Sequence, residues 1–185
     1  MNLLLLICIS SALLHLKWAS AHENNPPKAT KAVRVAKNPP RIDGMLDDEI
    51  WREAPVCQDF VQGTPDEGQA PTETTAFQLA YDDQALYIGV MAYDREPGEI
   101  VARLARRDQR TEADWIQVTI DAHHDHQTGY VLEINAAGSL RDGLVYNDGN
   151  AYDRTWDGVW EARQAHLPNG WSAEYKIPYH VLRFS

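Results

Sequence analysis

Apolar positions in this chain recur at every second residue, in short runs separated by turns. Ile116, Val118 and Ile120 alternate with Gln117 and Thr119. Tyr130, Leu132 and Ile134 alternate with Val131, Glu133 and Asn135. A period of two with one apolar side predicts a strand that buries one face. Residues 75–80 and 85–93 read as a hairpin around Tyr81-Asp82-Asp83-Gln84. Its second arm sets Leu86, Ile88, Val90 and Ala92 against Tyr87, Gly89, Met91 and Tyr93. Both sides are apolar, as in a central strand covered on both faces. Residues 158–166 and 171–177 form another hairpin around Leu167-Pro168-Asn169-Gly170, with Trp171, Ala173, Tyr175 and Ile177 on one side. Residues 32–36 and Phe60-Val61 are shorter strand candidates.

Helical spacing is confined to one place. Asp43-Gly44 marks a turn, Asp47 caps a short helix, and Ile50, Trp51 and Ala54 share its apolar face until Pro55 stops it. Trp51 then plugs the core, and residues 179–184 read as a further turn of helix. About eight to ten short strands with turns between them describe an all-β fold. The expected class is an antiparallel β-sandwich, jelly-roll or immunoglobulin-like, with one or two short helices.

The N-terminus follows different rules. Leu3 to Leu16 is a run of about 14 apolar residues, shorter than the roughly 20 needed to span a bilayer. Ala19-Ser20-Ala21 follows with small-x-small spacing. Residues 1–21 are therefore read as an export signal cleaved after Ala21. Residues 22–30, with Pro26-Pro27, are a linker, and the domain occupies 31–185. This places the protein in the periplasm, at the outer membrane or outside the cell. Cys57 is then the only cysteine left, so the fold has no internal disulfide and Cys57 reads as a buried structural thiol.

The 185 residues carry a formal net charge of -10. An acidic surface repels phosphate backbones, which excludes nucleic acid as a partner. It suits neutral ligands and calcium.

Candidate chemistry concentrates between Arg106 and Asp157, where loops are rich in Asp, Asn, Gly and Trp. Trp115 and Trp156 are candidate platforms, because an indole covers the C–H face of a pyranose at little entropic cost. Trp160 and Trp171 fall in strand patterns and are read as core. Arg107, Asp108, Asp114, Asn135, Asn147 and Asp148 offer the donors and acceptors that sugar hydroxyls need. The cluster His123-His124-Asp125-His126 lies in a turn and lacks a defined zinc spacing. Among the carboxylates Asp43, Asp47 and Asp142 are candidate calcium ligands. No nucleophile elbow, HExxH or phosphate loop occurs, so no catalytic residue is assigned.

The order of several pieces resembles the family-9 carbohydrate-binding module superfamily. They are Ile42-Asp43-Gly44-Met45-Leu46-Asp47-Asp48-Glu49-Ile50-Trp51, then Tyr81-Asp82-Asp83-Gln84-Ala85-Leu86-Tyr87-Ile88-Gly89-Val90. Asp114-Trp115, Trp156-Asp157-Gly158-Val159-Trp160 and Gly170-Trp171-Ser172-Ala173-Glu174-Tyr175-Lys176-Ile177-Pro178 complete the likeness. It extends from about Lys31 to Ser185. Arg106-Arg107-Asp108, Asn135-Ala136-Ala137-Gly138 and Arg141-Asp142-Gly143 resemble a branch that precedes outer-membrane β-barrels. The superfamily implies a β-sandwich that binds polysaccharide or oligosaccharide, attached to hydrolases of O-glycosyl bonds, often with structural calcium and no required cofactor. The branch implies a C-terminal barrel beyond this chain, and an alternative role as a structural or gating domain that binds no sugar.

Overall fold

A computed structural model describes the backbone of residues 4–10, and residues 29–147 and 149–183. The chain is of the antiparallel β-sandwich class, with two five-stranded sheets, one short α-helix and no closed barrel among the described residues. Two compact units result, each built on one sheet: residues 101–160 with the terminal segments, and residues 30–100 with 161–177.

The first unit carries β1 (Leu4–Ser10), β5 (Trp115–Asp121), β6 (Gly129–Asn135), β7 (Leu140–Tyr146) and β8 (Ala151–Asp153), in that order. The backbone of Leu4–Ser10, inside the segment read as an export signal, pairs antiparallel with β5. Cleavage after Ala21 and the rest of residues 1–28 lie outside the described residues. Ile116, Val118, Ile120, Leu132 and Ile134 are fully buried, as their alternation predicts. Cross-strand register keeps them on one face: Ile116 opposes Ile134 and Val118 opposes Leu132.

Strand β7 stands where the alternation of apolar residues predicts no strand. Its register places Arg141 beside Glu133 and Asp142 beside Leu132. Successive residues of a strand face opposite ways, so Arg141 and Asp142 leave the sheet on opposite sides. Charged residues in the middle of a strand hid the period.

The second unit carries β2 (Val33–Arg34), β3 (Thr75–Tyr81), β4 (Ala85–Tyr93), β10 (Gly170–Pro178) and β9 (Glu161–Leu167) in that order. β2 is shorter than the predicted strand and pairs parallel to β3, an exception to the antiparallel rule of the fold. β4 is buried from Ala85 to Ala92, which bears out a central strand. The tight turn before it forms because Asp82 Oδ1 accepts the amides of Gln84 and Ala85. Phe60-Val61 is no strand; the chain bridges β3 at Cys57 instead, and Phe60 meets Phe77 edge-on. Cys57 is a free thiol that is only partly buried. Residues 179–183 form turns rather than helix.

Helix α1 (Glu49–Glu53) begins at Asp48, one residue after the expected cap, and Asp48 accepts the amide of Arg41 instead of capping the helix. The helix buries Ile50 and Trp51 against Ala80, Ala85 and Tyr87. Trp51 Nε1 donates to Glu174 Oε1 at 2.7 Å, and the amides of Asp43 and Gly44 donate to Oε2 at 3.0 and 2.9 Å. Glu174 therefore ties the Asp43-Gly44 turn, the helix and β10 together. Gly44 has φ +91°, and a Cβ there would meet the Gln164 carbonyl carbon at 2.3 Å, so a glycine is required. Burial outweighs the three donors and pushes the Glu174 carboxyl up to about 7.

Candidate functional site

The predicted sugar-site residues that the structure describes all belong to the first unit, in three places, whereas the calcium candidates Asp43 and Asp47 belong to the second. The first is a loop cluster centred on Gly158. A turn at residues 106–109 closes through Gln109 N donating to Arg106 O, with Asp108 in the left-handed region at φ 65°. Asp108 N donates to Leu140 O, and Asp108 Oδ1 accepts the amide of Asp142 at 3.2 Å. Docked in this way on the start of β7, the turn carries Arg107 over Asp142. Arg107 Nη2 donates to Asp142 Oδ2 at 2.6 Å, to Gly158 O at 3.1 Å and to exposed Asp157 at 3.3 Å.

Asp142 is 2 % exposed, and its Oδ2 also accepts Trp160 Nε1 at 2.6 Å and Gly158 N at 3.2 Å. Burial raises its carboxyl pKa against these donors. On the other side of Gly158 lies Trp156. A Cβ on Gly158 would meet its ring at 2.5 Å, so the indole lies against bare backbone. Its ring is tilted against Tyr130 at 5.1 Å between centroids and stays half-buried. The result is a partly open aromatic ring beside an arginine and two carboxylates already fixed in place. Asp157 and Gly158, which the sequence reading did not name as site residues, belong to this cluster.

The second place is the opposite face of the sheet. Trp115 is buried there, 5 % exposed, with the Arg141 guanidinium 5.3 Å from its ring centroid and its Nε1 donating to Thr111 O. Its face is thus covered by a cation rather than open. Gln117, Glu133 and Arg141 stand side by side across three strands, and Arg141 Nη1 lies 3.4 Å from Glu133 Oε2. The pattern that marks these residues is the alternation 139, 141, 143, 145, legible only once residues 140–146 are known to be a strand.

The third group holds the backbone. Asn135 is fully buried; Nδ2 donates to Arg103 O, and Oδ1 accepts the amides of Ala137 and Ser139. Asp114 Oδ2 accepts Val101 N. Asn147 is exposed at φ 54° and closes a turn through its carbonyl, which accepts Asn150 N. Each shapes a loop, so their role at a ligand is indirect. Asp148 lies outside the described residues.

The calcium candidates Asp43, Asp47 and Asp142 do not fit that ion. Asp43 carboxylate oxygens are taken by Arg41 and Met45 N, Asp47 is exposed, and Asp142 Oδ2 is taken by three N–H donors. Among the described residues no three acidic, histidine or cysteine side chains are grouped to hold a metal. His123, His124 and His126 are exposed on a turn organised by Asp121, whose carboxylate accepts the amides of His123, Asp125 and His126.

No protein-family model and no curated relative matches the sequence. Solved structures do match. A family-9 carbohydrate-binding module from Caldicellulosiruptor kristjanssonii, in complex with cellotriose, aligns with TM-score 0.55 and 20 % identity over 80 % of this chain and 67 % of that one. The module from the same organism in complex with glucose gives 0.54 and 20 % identity, over 80 % and 69 %. A Bacteroides uniformis protein whose description proposes carbohydrate binding gives 0.60 and 13 % identity, over 83 % and 72 %. The chain has the fold of the family-9 carbohydrate-binding modules. In that fold, the marks quoted from the sequence are largely anchors: Gly44, Trp51 and Glu174 in one unit, Asp142, Gly158 and Trp160 in the other.

Proposed function

We propose that this chain binds oligosaccharide without cleaving it, at the loop cluster of Trp156, Arg107, Asp108 and Asp157. The observation that carries this reading is the half-exposed Trp156 ring beside the fixed Arg107 fork. The C–H face of a pyranose would cover the indole, while Arg107 donates to ring hydroxyls and Asp108 and Asp157 accept from them. The solved neighbours with bound cellotriose and glucose support a neutral glucan as ligand. Glu133 and Asp142 leave the sheet on opposite faces and cannot flank one glycosidic bond, which suits a binder rather than a hydrolase. We place the chain as an exported accessory module of polysaccharide breakdown.

Titration calorimetry with cellotriose tests this. A millimolar dissociation constant corresponds to about -4 kcal/mol, and losing one stacked ring removes about 1.5 kcal/mol, roughly tenfold in affinity. Trp156→Ala should bind about tenfold more weakly than wild type, and Asp157→Ala should lose less. A folded Trp156→Ala protein with unchanged affinity would remove the platform assignment. Wild type that binds no neutral oligosaccharide would favour the structural role beside a membrane barrel.

A further inference from the structure

The face of the first sheet that carries Arg141 has a composition at odds with the rest of the molecule. Acidic residues outnumber basic ones 27 to 17 in the chain, yet three arginines gather here around one carboxylate. Glu133 is 8 % exposed, and Arg141, Arg110 and Arg154 all act on it electrostatically. Arg141 is buried as the pairing partner of Glu133. Arg110 and Arg154 are exposed, and neither makes a hydrogen bond or ion pair with a described residue.

The aromatic residues of this face orient the arginines. Gly143 has no side chain, and the Tyr152 ring fills that space, 2.7 Å from where a Cβ would stand. Arg154 lies over that ring at 5.5 Å, as Arg141 lies over Trp115 at 5.3 Å. A guanidinium held over an aromatic face keeps its edge of N–H donors free for a planar oxyanion. Tyr152 serves as the platform beneath Arg154; its hydroxyl is buried and has no hydrogen-bond partner among the described residues.

We propose that this face is a second ligand site, distinct from the Trp156 cluster, that takes a carboxylate-bearing saccharide such as an oligouronate. Arg154 and Arg110 would grip the uronate carboxylate, Arg154 with a bidentate fork. Arg141 and Glu133 form the fixed, buried floor beneath them. The face is one residue out of phase with Asp142 along β7, so the two sites lie on opposite sides of the sheet. The choice of a saccharide over other carboxylates rests on the carbohydrate-binding reading; the site itself rests on the arginines.

The test is calorimetric titration of the full chain with trigalacturonate and, in parallel, with cellotriose and free acetate. Trigalacturonate should bind wild type, weaken on adding salt, and lose at least tenfold in affinity in Arg154→Gln and more in Arg110→Gln/Arg154→Gln. Both positions are exposed, and circular dichroism should show an unchanged fold. Arg154→Lys keeps the charge but lacks the fork, and should restore only part of the affinity. Trp156→Ala should leave trigalacturonate binding intact while cellotriose binding falls, so the two sites fail separately. Trigalacturonate binding no better than cellotriose or acetate, or unchanged binding by the folded double variant, overturns the proposal.

Discussion

Trp160 donates its indole N–H to Asp142 across 2.6 Å, and this bond joins the end of the candidate binding loop to the middle of a strand. Asp142 is buried, yet it receives Arg107, Gly158 N and Trp160 on a single oxygen. A buried acceptor shared by three donors fixes their geometry, because each donor loses more by desolvation than it gains elsewhere.

Removing that acceptor should therefore cost more than removing any one donor. Asp142→Ala takes this acceptor away from the buried Gly158 amide and Trp160 N–H, at about 1–3 kcal/mol each. Arg107 is partly exposed and can rehydrate, which limits the total to about 3–4 kcal/mol. Trp160→Phe removes only one donor and should cost about 1–2 kcal/mol. Urea denaturation midpoints will rank the two.

Glu174 should make the protein less stable as pH rises. Its folded pKa of about 7 lies above the ordinary 4.5, so the folded state holds the proton more tightly than the unfolded state. The stabilising contribution is complete below pH 4.5 and is lost as pH climbs through about 7, amounting to about 3 kcal/mol. Buried Glu133 and Asp142 are shifted the same way and add to the slope. Thermal melts across this range should show a falling midpoint, and Glu174→Gln should flatten the trend. It should also lower stability overall, because its amide would face the N–H groups of Asp43 and Gly44.

Two glycine substitutions should behave differently. Gly44→Ala combines a positive φ with a Cβ driven into the Gln164 backbone, and should destabilise by about 3 kcal/mol or more. Gly98→Ala meets no atom within 4 Å and should change stability by less than about 0.5 kcal/mol. Denaturation curves of the pair separate local strain from a general effect of the added methyl.

Trp115→Ala should fail as a folding variant rather than as a binding variant. Its ring is buried under Arg141, and excising such a side chain costs about 3–5 kcal/mol. Any loss of sugar binding in this variant should track loss of the folded signal in circular dichroism. Binding lost with the fold and melting point unchanged would show that the indole is a contact after all.

The sequence alone determined the strands whose two sides differ in polarity. Ile116, Val118 and Ile120 declare their burial through a period of two, and Tyr81-Asp82-Asp83-Gln84 declares its turn, because both signals act over a few residues. Asp43-Gly44 and Trp51 were also legible, although their partner Glu174 stands more than a hundred residues away. Tertiary structure alone decided β7. Arg141 and Asp142 look like loop residues, and they are stable in a buried strand only because Glu133 and Arg107 meet them across the fold. It also decided between the tryptophans. Its strand pattern already marks Trp160 as core, but Trp115 and Trp156 have similar polar neighbours in sequence, and their exposure depends on what packs over the ring. Arg141 covers Trp115, Asp142 holds Trp160 inside, and Trp156 alone of the three is left half-open beside Gly158. Burial and charge pairing are set by contacts distant along the chain, which no local pattern encodes.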